Sequence, residues 1–175
     1  MMRTTIIIFL ILTGVSFGAQ NTNAQRYAFV NMEYIMSNIP AYEAAQEQLN
    51  QQSAKWEEEI KSIYAEVEQL YKNYQKESVF LSEEMKTQRE DEIIQLENKA
   101  KNLQRQYFGP EGALMERQQT LIEPIQDNVS EAISEIADRD NLDAVFDMAG
   151  NAGVVYVKPR QNISDEVLEH LGFGN

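Results

Sequence analysis

Apolar and aromatic side chains recur every seven residues along the first half of the chain. A second row lies three or four residues from the first, and polar side chains fill the positions between them. Two rows in this register form one seam of a coiled coil, so the pattern predicts a long helix that begins at about Ala41, after Pro40. The first row comprises Tyr42, Leu49, Trp56, Ile63 and Leu70; the second comprises Ile60, Val67 and Tyr74, with Gln46 and Ser53 as weaker early members and Ala45 partly filling the gap.

A second helical stripe follows a polar interruption near residues 77–84. Ser82 precedes two glutamates, a pattern typical of a helix N-cap. The short interruption predicts an antiparallel helical hairpin whose tip lies in this range. Gly109, Pro110 and Pro124 disturb the returning stripe, so we expect the arm to bend at these positions. The stripe comprises Ile93, Leu96, Ala100, Leu103 and Tyr107, then Leu114, Leu121, Ile125, Val129, Ala132 and Ile136.

Three short β-rich runs flank the hairpin from opposite ends of the chain. RYAFV precedes the hairpin, LDAVFD and GVVYV follow it, and each has the composition of a strand. We therefore predict an α+β fold in which residues 41–137 form a helical arm inserted into a small β body of residues 25–40 and 138–175. A terminal helix completes the body, with Ser164 as its cap, Val167, Leu168 and Leu171 facing inward, and Gly172 at its end.

A body of this kind is barely stable alone, because about three short strands leave edges and a face uncovered. Several copies that close a shared barrel would bury those surfaces. A helix of roughly 35 to 40 residues would extend on the order of 50 to 60 Å from such a hub. We therefore expect rigid arms on an oligomeric body.

Residues 1–24 have the pattern of a secretory signal peptide. Arg3 precedes an apolar run that is too short for a stable membrane span, and small residues follow it. Cleavage is expected after Ala24, with the SFGA segment as the other candidate site. A retained membrane anchor is the alternative interpretation.

The charge and the cysteine content of the chain exclude some partners and some covalent modifications. The 175 residues carry a formal charge of −13, and because Arg3 is the only charged side chain of residues 1–24, the remainder carries −14. Such a chain repels nucleic acid. The absence of cysteine excludes both disulfides and a lipid-modified cysteine. An exported domain without disulfides needs another source of stability, which again favours oligomerisation.

Residues for catalysis or metal binding do not come together in the sequence. His170 is the only histidine, and neither a phosphate-binding loop nor a G-x-S-x-G or H-E-x-x-H motif occurs. The acidic run 138–143 lacks the glycine that a calcium loop needs and is better explained as a turn between helix and strand. Asn162 lies in a glycosylation sequon, which the Ser164 cap also explains. We expect no enzyme activity, no cofactor and no metal.

In the β-rich segments, the inserted hairpin and the terminal helix, the chain resembles the Skp/OmpH family of periplasmic chaperones. The resemblance rests on the signal peptide, RYAFVNMEYIM, the inserted hairpin, LDAVFD, VVYV and ISDEVLEHL, and it covers essentially residues 25–175. Its most specific parts are the β segments that flank the hairpin. The resemblance implies a homotrimer with a barrel-like β body and three arms around a cavity. It also implies a periplasmic holdase that keeps unfolded outer-membrane proteins from aggregating without ATP and passes them to the outer-membrane insertion machinery.

The resemblance also suggests which residues form the trimer and which contact clients. The best-known chaperone of the family has markedly basic arms, whereas this chain has a pI of about 4.5. Apolar contacts must therefore carry more of the client binding, and contact with a membrane stays open. Expected trimer contacts are Tyr27, Phe29, Val30, Val145, Phe146, Val155, Tyr156 and Val157; candidate client contacts are Tyr64, Tyr71, Val79, Phe80, Leu81 and Met85.

Two interpretations of the arm stay open at this point. Val79, Phe80 and Leu81 either pack against the tip itself or contact clients. Trp56 and Tyr74 lie in the seam rows, so we expect them inside the hairpin. The alternative function is that of a structural or adaptor coiled coil of the cell envelope, whose arms dock a folded partner.

Overall fold

A computed structural model describes residues 25–150 and 153–174. The signal-peptide prediction for residues 1–24 lies outside the described residues. The chain is mostly helical, with one small pair of strands. In order, the elements are β1 (Tyr27–Val30), α1 (Met32–Ser37), α2 (Pro40–Glu77), a 3-10 turn (Ser78–Phe80), α3 (Glu83–Phe108), α4 (Ala113–Arg139), β2 (Ala144–Asp147), a second 3-10 turn (Pro159–Gln161) and α5 (Ser164–His170).

Helix α2 is the outgoing leg of a long helical arm. It contains 38 residues, which corresponds to a length of about 57 Å. Pro40 occupies its first turn, where a missing N–H costs no hydrogen bond. Both seam rows predicted for this helix are confirmed. Leu49, Trp56, Ile60, Ile63 and Val67 are buried, and Ala45 is buried where the second row is polar.

The returning leg consists of α3 and α4, which both pack against α2. The Ser82 hydroxyl caps α3 by accepting a hydrogen bond from the backbone N–H of Met85 at 3.3 Å. Residues 109–112 separate the two helices. A Cβ on Gly109 would collide with the carbonyl oxygen of Arg105, so this turn requires glycine. Pro124, in contrast, lies inside the continuous helix α4.

One core residue of the returning leg was missing from the predicted stripe. Ile122 is only 4% exposed, whereas its neighbour Leu121 is partly exposed. The buried row runs through Ile122, Val129 and Ile136 at seven-residue spacing. Leu121 and Ile125 satisfy a four-residue spacing equally well, so the periodicity alone did not determine which of two adjacent apolar residues faces the core.

The strands β1 and β2 form a two-stranded parallel sheet, in which Tyr27 pairs with Ala144 and Phe29 with Phe146. Parallel strands need a long connection, and here the whole arm provides it. The prediction of a third strand was wrong, because residues 154–157 belong to neither strand. The other edge of β1 is occupied instead by the chain at Asn162, and the Ile163 N–H donates to the Phe29 carbonyl at 2.9 Å.

Helix α5 closes the core of the body. Val167 and Leu168 are buried, Leu171 is partly buried, and Gly172 adopts a positive φ of 83° just after the helix, all as predicted. The prediction that Ser164 caps this helix was wrong. Ile163 occupies the N-cap position, and the side chain of Asn162 accepts hydrogen bonds from both the Ser164 N–H and its hydroxyl.

The Ser164 hydroxyl joins the two ends of the chain. It is 2% exposed and accepts a hydrogen bond from the backbone N–H of Asn31 at 2.8 Å. We expect Ser164→Ala to lower the free energy of unfolding by about 1–3 kcal/mol, because the Asn31 N–H loses its partner in a partly buried position. Urea titration at equal protein concentration measures this loss. Ser134→Ala is the control, since its exposed hydroxyl only donates to its own helix; an equal loss in both variants would contradict the assignment.

Candidate functional site

The tip of the arm carries exposed apolar side chains. Val79 is 80% exposed and Phe80 is 86% exposed, while Leu81 is partly exposed. They lie on the 3-10 turn and in the short loop between α2 and α3, a segment with few neighbouring residues. The structure therefore places Val79 and Phe80 in solvent rather than in a packed tip. Two large, adjacent apolar side chains at this exposure are typical of a binding surface.

Further exposed apolar side chains continue from the tip along both legs. Tyr71 and Tyr64 lie on the outgoing leg with exposures of 51% and 38%, and Met85 lies on the returning leg with 48%. Ile94 of α3 is 52% exposed and was missing from the sequence-based candidates. Its neighbour Ile93 fits the seam, so the sequence signal for Ile94 was an apolar residue in excess of what the seam requires.

A shallow groove lies beside Tyr64, near the end of α3. Its volume is about 460 Å³, and its apolar walls are formed by Ile60, Tyr64 and Phe108. Glu57, Lys61 and Gln104 line its rim. The groove is large enough for one aromatic side chain of a partner, and its mixed walls are those of an open binding groove rather than of an enclosed catalytic cavity.

The three arm helices meet around Trp56. The Trp56 ring stacks on Tyr107 at 4.6 Å between centroids, and Phe108 contacts it edge-on at 6.2 Å. The Arg117 guanidinium of α4 lies 5.9 Å from the Trp56 ring, within the range of a cation–π contact. Trp56 is 9% exposed. It is therefore part of the arm's core, as predicted, and it holds the interruption between α3 and α4 against α2.

Tyrosine hydroxyl groups tie the two legs together along the arm. Tyr107 donates to Glu59 at 3.0 Å, and Tyr74 donates to Glu90. Each hydrogen bond to a carboxylate raises the pKa of its tyrosine, so both hydroxyls keep their protons and stay donors at neutral pH. Tyr74 is partly buried between the legs, whereas Tyr64 and Tyr71 lack such cross-links and point outward.

A second exposed apolar surface lies on the β body. Tyr27, Phe29 and Phe146 lie on the same face of the sheet, with ring centroids 5.7 to 6.4 Å apart. Tyr27 is 47% exposed and Phe146 is 46% exposed. The opposite face packs Ala28 and Val30 into the core. We call Tyr27, Phe29 and Phe146 the aromatic face of the sheet.

The structure divides the predicted trimer contacts into three groups, of which the aromatic face is the first. Val30 is 3% exposed and Val145 packs against the core, so both lie on the inner side of the sheet and not on the aromatic face. Val155 is 99% exposed and Tyr156 is 75% exposed. They belong, with Val157, to a run that pairs with neither β1 nor β2. Alternation along a strand already separates Val30 from Tyr27 and Phe29 in the sequence, and the structure confirms this separation and shows that the face with Val30 packs on the core.

The described residues contain neither a cluster that could hold a metal ion nor a helix that could span a membrane. Within residues 25–150 and 153–174, no three acidic or histidine side chains approach closely enough to hold a metal ion. His170 contacts Glu135 at 2.6 Å on the outside of α4 and α5. Over the same described ranges, every helix is too short or too polar to cross a bilayer. The acidic run forms the expected turn between α4 and β2, and Asp143 in this turn accepts a hydrogen bond from the Arg26 N–H at 2.7 Å.

One family model matches most of the chain. The model described as "Outer membrane protein (OmpH-like)" matches residues 26–171. The chain belongs to the OmpH-like family. The match covers both strands, the whole arm and α5, and it confirms the resemblance to the Skp/OmpH family. No curated protein is similar enough to this chain to match it.

Membership of the OmpH-like family indicates a chaperone-type function in the periplasm. The family is one of chaperones and is not known for enzymes. The chain presents two exposed apolar surfaces, the distal part of the arm and the aromatic face of the sheet.

Proposed function

We propose that this OmpH-like protein is an ATP-independent periplasmic holdase. Three copies assemble through the β bodies, and the arms enclose unfolded outer-membrane proteins and prevent their aggregation. The observation that supports the proposal most directly is the exposure of Val79 and Phe80 at the end of a helix of 38 residues. The apolar surface is thus presented far from the body, where it contacts a large and disordered client rather than its own chain.

Trimerisation is supported by the composition of the body. The aromatic face is left open in a single copy, and a sheet of two short strands is not stable alone. The exposed run at residues 154–157 has the β-branched and aromatic composition of a strand without a partner. A neighbouring copy would provide that partner and cover Tyr27 and Phe146. We propose residues 25–40 and 138–175 as the assembling body and residues 41–137 as the arm.

The binding mechanism follows from the scattered apolar side chains. Tyr64, Tyr71, Phe80 and Met85 form separate small contacts rather than one deep pocket. Separate weak contacts hold an unfolded chain without imposing one conformation, so the client does not lose all its conformational entropy. Release occurs when the client folds elsewhere, because a folded client no longer exposes the segments that bind. The family suggests outer-membrane proteins as these clients, and the insertion machinery of the outer membrane would receive them.

Light scattering tests this proposal directly. The protein that begins at Gln25 is measured alone and then after a urea-unfolded outer-membrane β-barrel protein is diluted into it. The proposal predicts a trimer that keeps the client soluble in a complex of defined mass. A monomer or dimer that lets the client aggregate would overturn the proposal in favour of an adaptor coiled coil.

The tip side chains separate a chaperone from an adaptor. We expect the triple variant Val79→Ser, Phe80→Ser and Leu81→Ser to lower the amount of client kept soluble about two- to fivefold, since other weak contacts remain. Thermal unfolding should change little, because Val79 and Phe80 are exposed. The control variant is Gln88→Ser, Gln95→Ser and Asn98→Ser on α3, whose residues are also exposed. Complete loss of binding to one folded partner, with client protection intact, would favour the adaptor function.

A further inference from the structure

The apolar side chains of the arm are set in a strongly acidic surface. We define the distal arm as residues 64–97, which include the tip. Between residues 64 and 97 the sequence has nine acidic and four basic side chains, a net formal charge of −5. All the candidate client contacts, and Ile94, lie within this range. Any client that reaches these apolar side chains therefore enters a negative field.

Most basic side chains of the distal arm are already paired. Within single helices, Lys72 contacts Glu68 at 2.5 Å, Lys86 contacts Glu83 at 2.7 Å and Arg89 contacts Glu92 at 3.0 Å. The pairing with Lys72 lowers the pKa of Glu68, so this carboxylate is charged at neutral pH. Each of these three cations therefore already has a carboxylate partner within its own helix.

Several carboxylates of the distal arm keep an unneutralised charge. The structure describes every residue of this range, and five of its nine acidic side chains form no ion pair. They are Glu66, Glu77, Glu84, Glu90 and Asp91; Glu90 only accepts the hydrogen bond of Tyr74. Glu77 and Glu84 flank the exposed tip on either side in sequence. Lys76, the fourth basic side chain of the distal arm, precedes Glu77, so residues 76–86 carry three acidic and two basic side chains and a net formal charge of −1.

Charge and apolar exposure together select the chemistry of the client segment. At a solvent-exposed surface, opposite charges attract over about 8 Å at physiological salt, and each exposed pair contributes little by itself. Lysine and arginine also pack on aromatic rings, a contact that Arg117 and Trp56 already make within this arm. Anionic segments are repelled by the same carboxylates. The preference for cationic over anionic segments is the sum of this attraction and this repulsion.

We propose that the distal arm preferentially binds segments of unfolded polypeptides that combine lysine or arginine with aromatic or aliphatic side chains. The proposal rests on the holdase function proposed above and specifies the client segments of the same surface. The carboxylates increase the rate of encounter and reject acidic segments, and Val79, Phe80 and the exposed tyrosines provide the apolar contacts. The sign of this preference follows from the carboxylates of this chain.

The experiment uses two labelled peptides of about 20 residues with identical aromatic and aliphatic positions. One has lysine and the other has glutamate at its remaining charged positions. Fluorescence anisotropy with the assembled protein measures both affinities at low salt and at about 0.5 M salt. We expect the lysine peptide to bind at least about tenfold more tightly at low salt, and we expect this ratio to shrink several-fold at high salt.

Two charge variants locate the preference. Glu66→Gln, Glu77→Gln, Glu84→Gln and Asp91→Asn together should remove most of the difference between the peptides. The matched control neutralises four carboxylates of α4, Glu116, Glu123, Asp127 and Glu131, and should leave most of the difference in place. Equal affinity of the two peptides for the unmodified protein would overturn the inference, and so would a larger loss of the difference in the control variant than in the distal-arm variant.

Failure of this inference is distinguishable from failure of the proposed function. If the protein keeps an unfolded outer-membrane protein soluble but does not discriminate between the peptides, the holdase function stands and the charge preference is wrong. If the client aggregates, the holdase function itself is wrong. The client-protection measurement is therefore made on the same preparation as the anisotropy titration.

Discussion

Replacing Phe146 with Asp is expected to convert the assembled protein into single copies with folded arms. Phe146 is 46% exposed and lies 5.7 Å from Phe29 and 6.4 Å from Tyr27, between ring centroids, on the aromatic face. In one copy the new carboxylate is solvated, so the substitution does not disturb the packing of the arm. In an assembly that covers this face, the carboxylate would be buried without a partner, which costs several kcal/mol at each interface.

Light scattering at micromolar concentration measures the result of Phe146→Asp. We expect the mass to fall from three copies to one, and the capacity to keep a client soluble to fall at least tenfold, because the cavity between arms is lost. Ile94→Asp is the matched control, since Ile94 is 52% exposed but lies on the arm. A Phe146→Asp variant that stays trimeric would contradict the assignment of the aromatic face to the interface. Circular dichroism should show similar helix content in both variants.

Replacing Trp56 with Ala is expected to cause the largest loss of stability among single changes in the arm. The ring is buried, stacks on Tyr107 and contacts Phe108 and the Arg117 guanidinium. Its removal leaves a cavity where three helices meet, and losses of about 3–5 kcal/mol are typical of such truncations. We also expect proteolysis near residues 109–112 to become faster, since α3 and α4 join there and Trp56 holds this joint against α2.

Urea unfolding and limited proteolysis measure the effect of Trp56→Ala at equal protein concentration. Tyr71→Ala provides the control, because it truncates an aromatic side chain of the same helix that is 51% exposed. We expect it to cost far less stability and to leave the cleavage rate at residues 109–112 unchanged. Similar losses in both variants would show that the aromatic cluster does not hold the joint.

The two variants distinguish what the body and the arm each contribute to client protection. Loss of the proposed assembly through Phe146 would remove the proposed cavity but leave each arm intact. Loss of Trp56 leaves the aromatic face intact but loosens the arm that carries Val79 and Phe80. A holdase that encloses its clients needs both. An adaptor that docks one partner at the tip would lose little on dissociation to single copies.

Local pattern was sufficient to predict the elements of the arm. The seven-residue rows of α2 specify which of its faces is buried, because an amphipathic helix has only one way to bury a continuous apolar stripe. The pattern was not sufficient where two adjacent apolar residues competed for one position. Ile122 and Leu121, or Ile93 and Ile94, differ by one helical step, and only the position of the facing helix decides between them.

The sequence by itself determined the heptad seam, the cap at Ser82, the glycine turn at residues 109–112 and the acidity of the arm, since each depends on neighbours within about seven residues. The tertiary structure alone decided which strands pair, that Phe146 joins Tyr27 and Phe29 on one face of the sheet, and what Ser164 binds. Strand pairing and the bond from Asn31 to Ser164 join residues more than 110 positions apart. Such contacts depend on the fold of the whole chain. The β-rich composition of residues 154–157 therefore could not show that the chain at Asn162 occupies the second edge of β1.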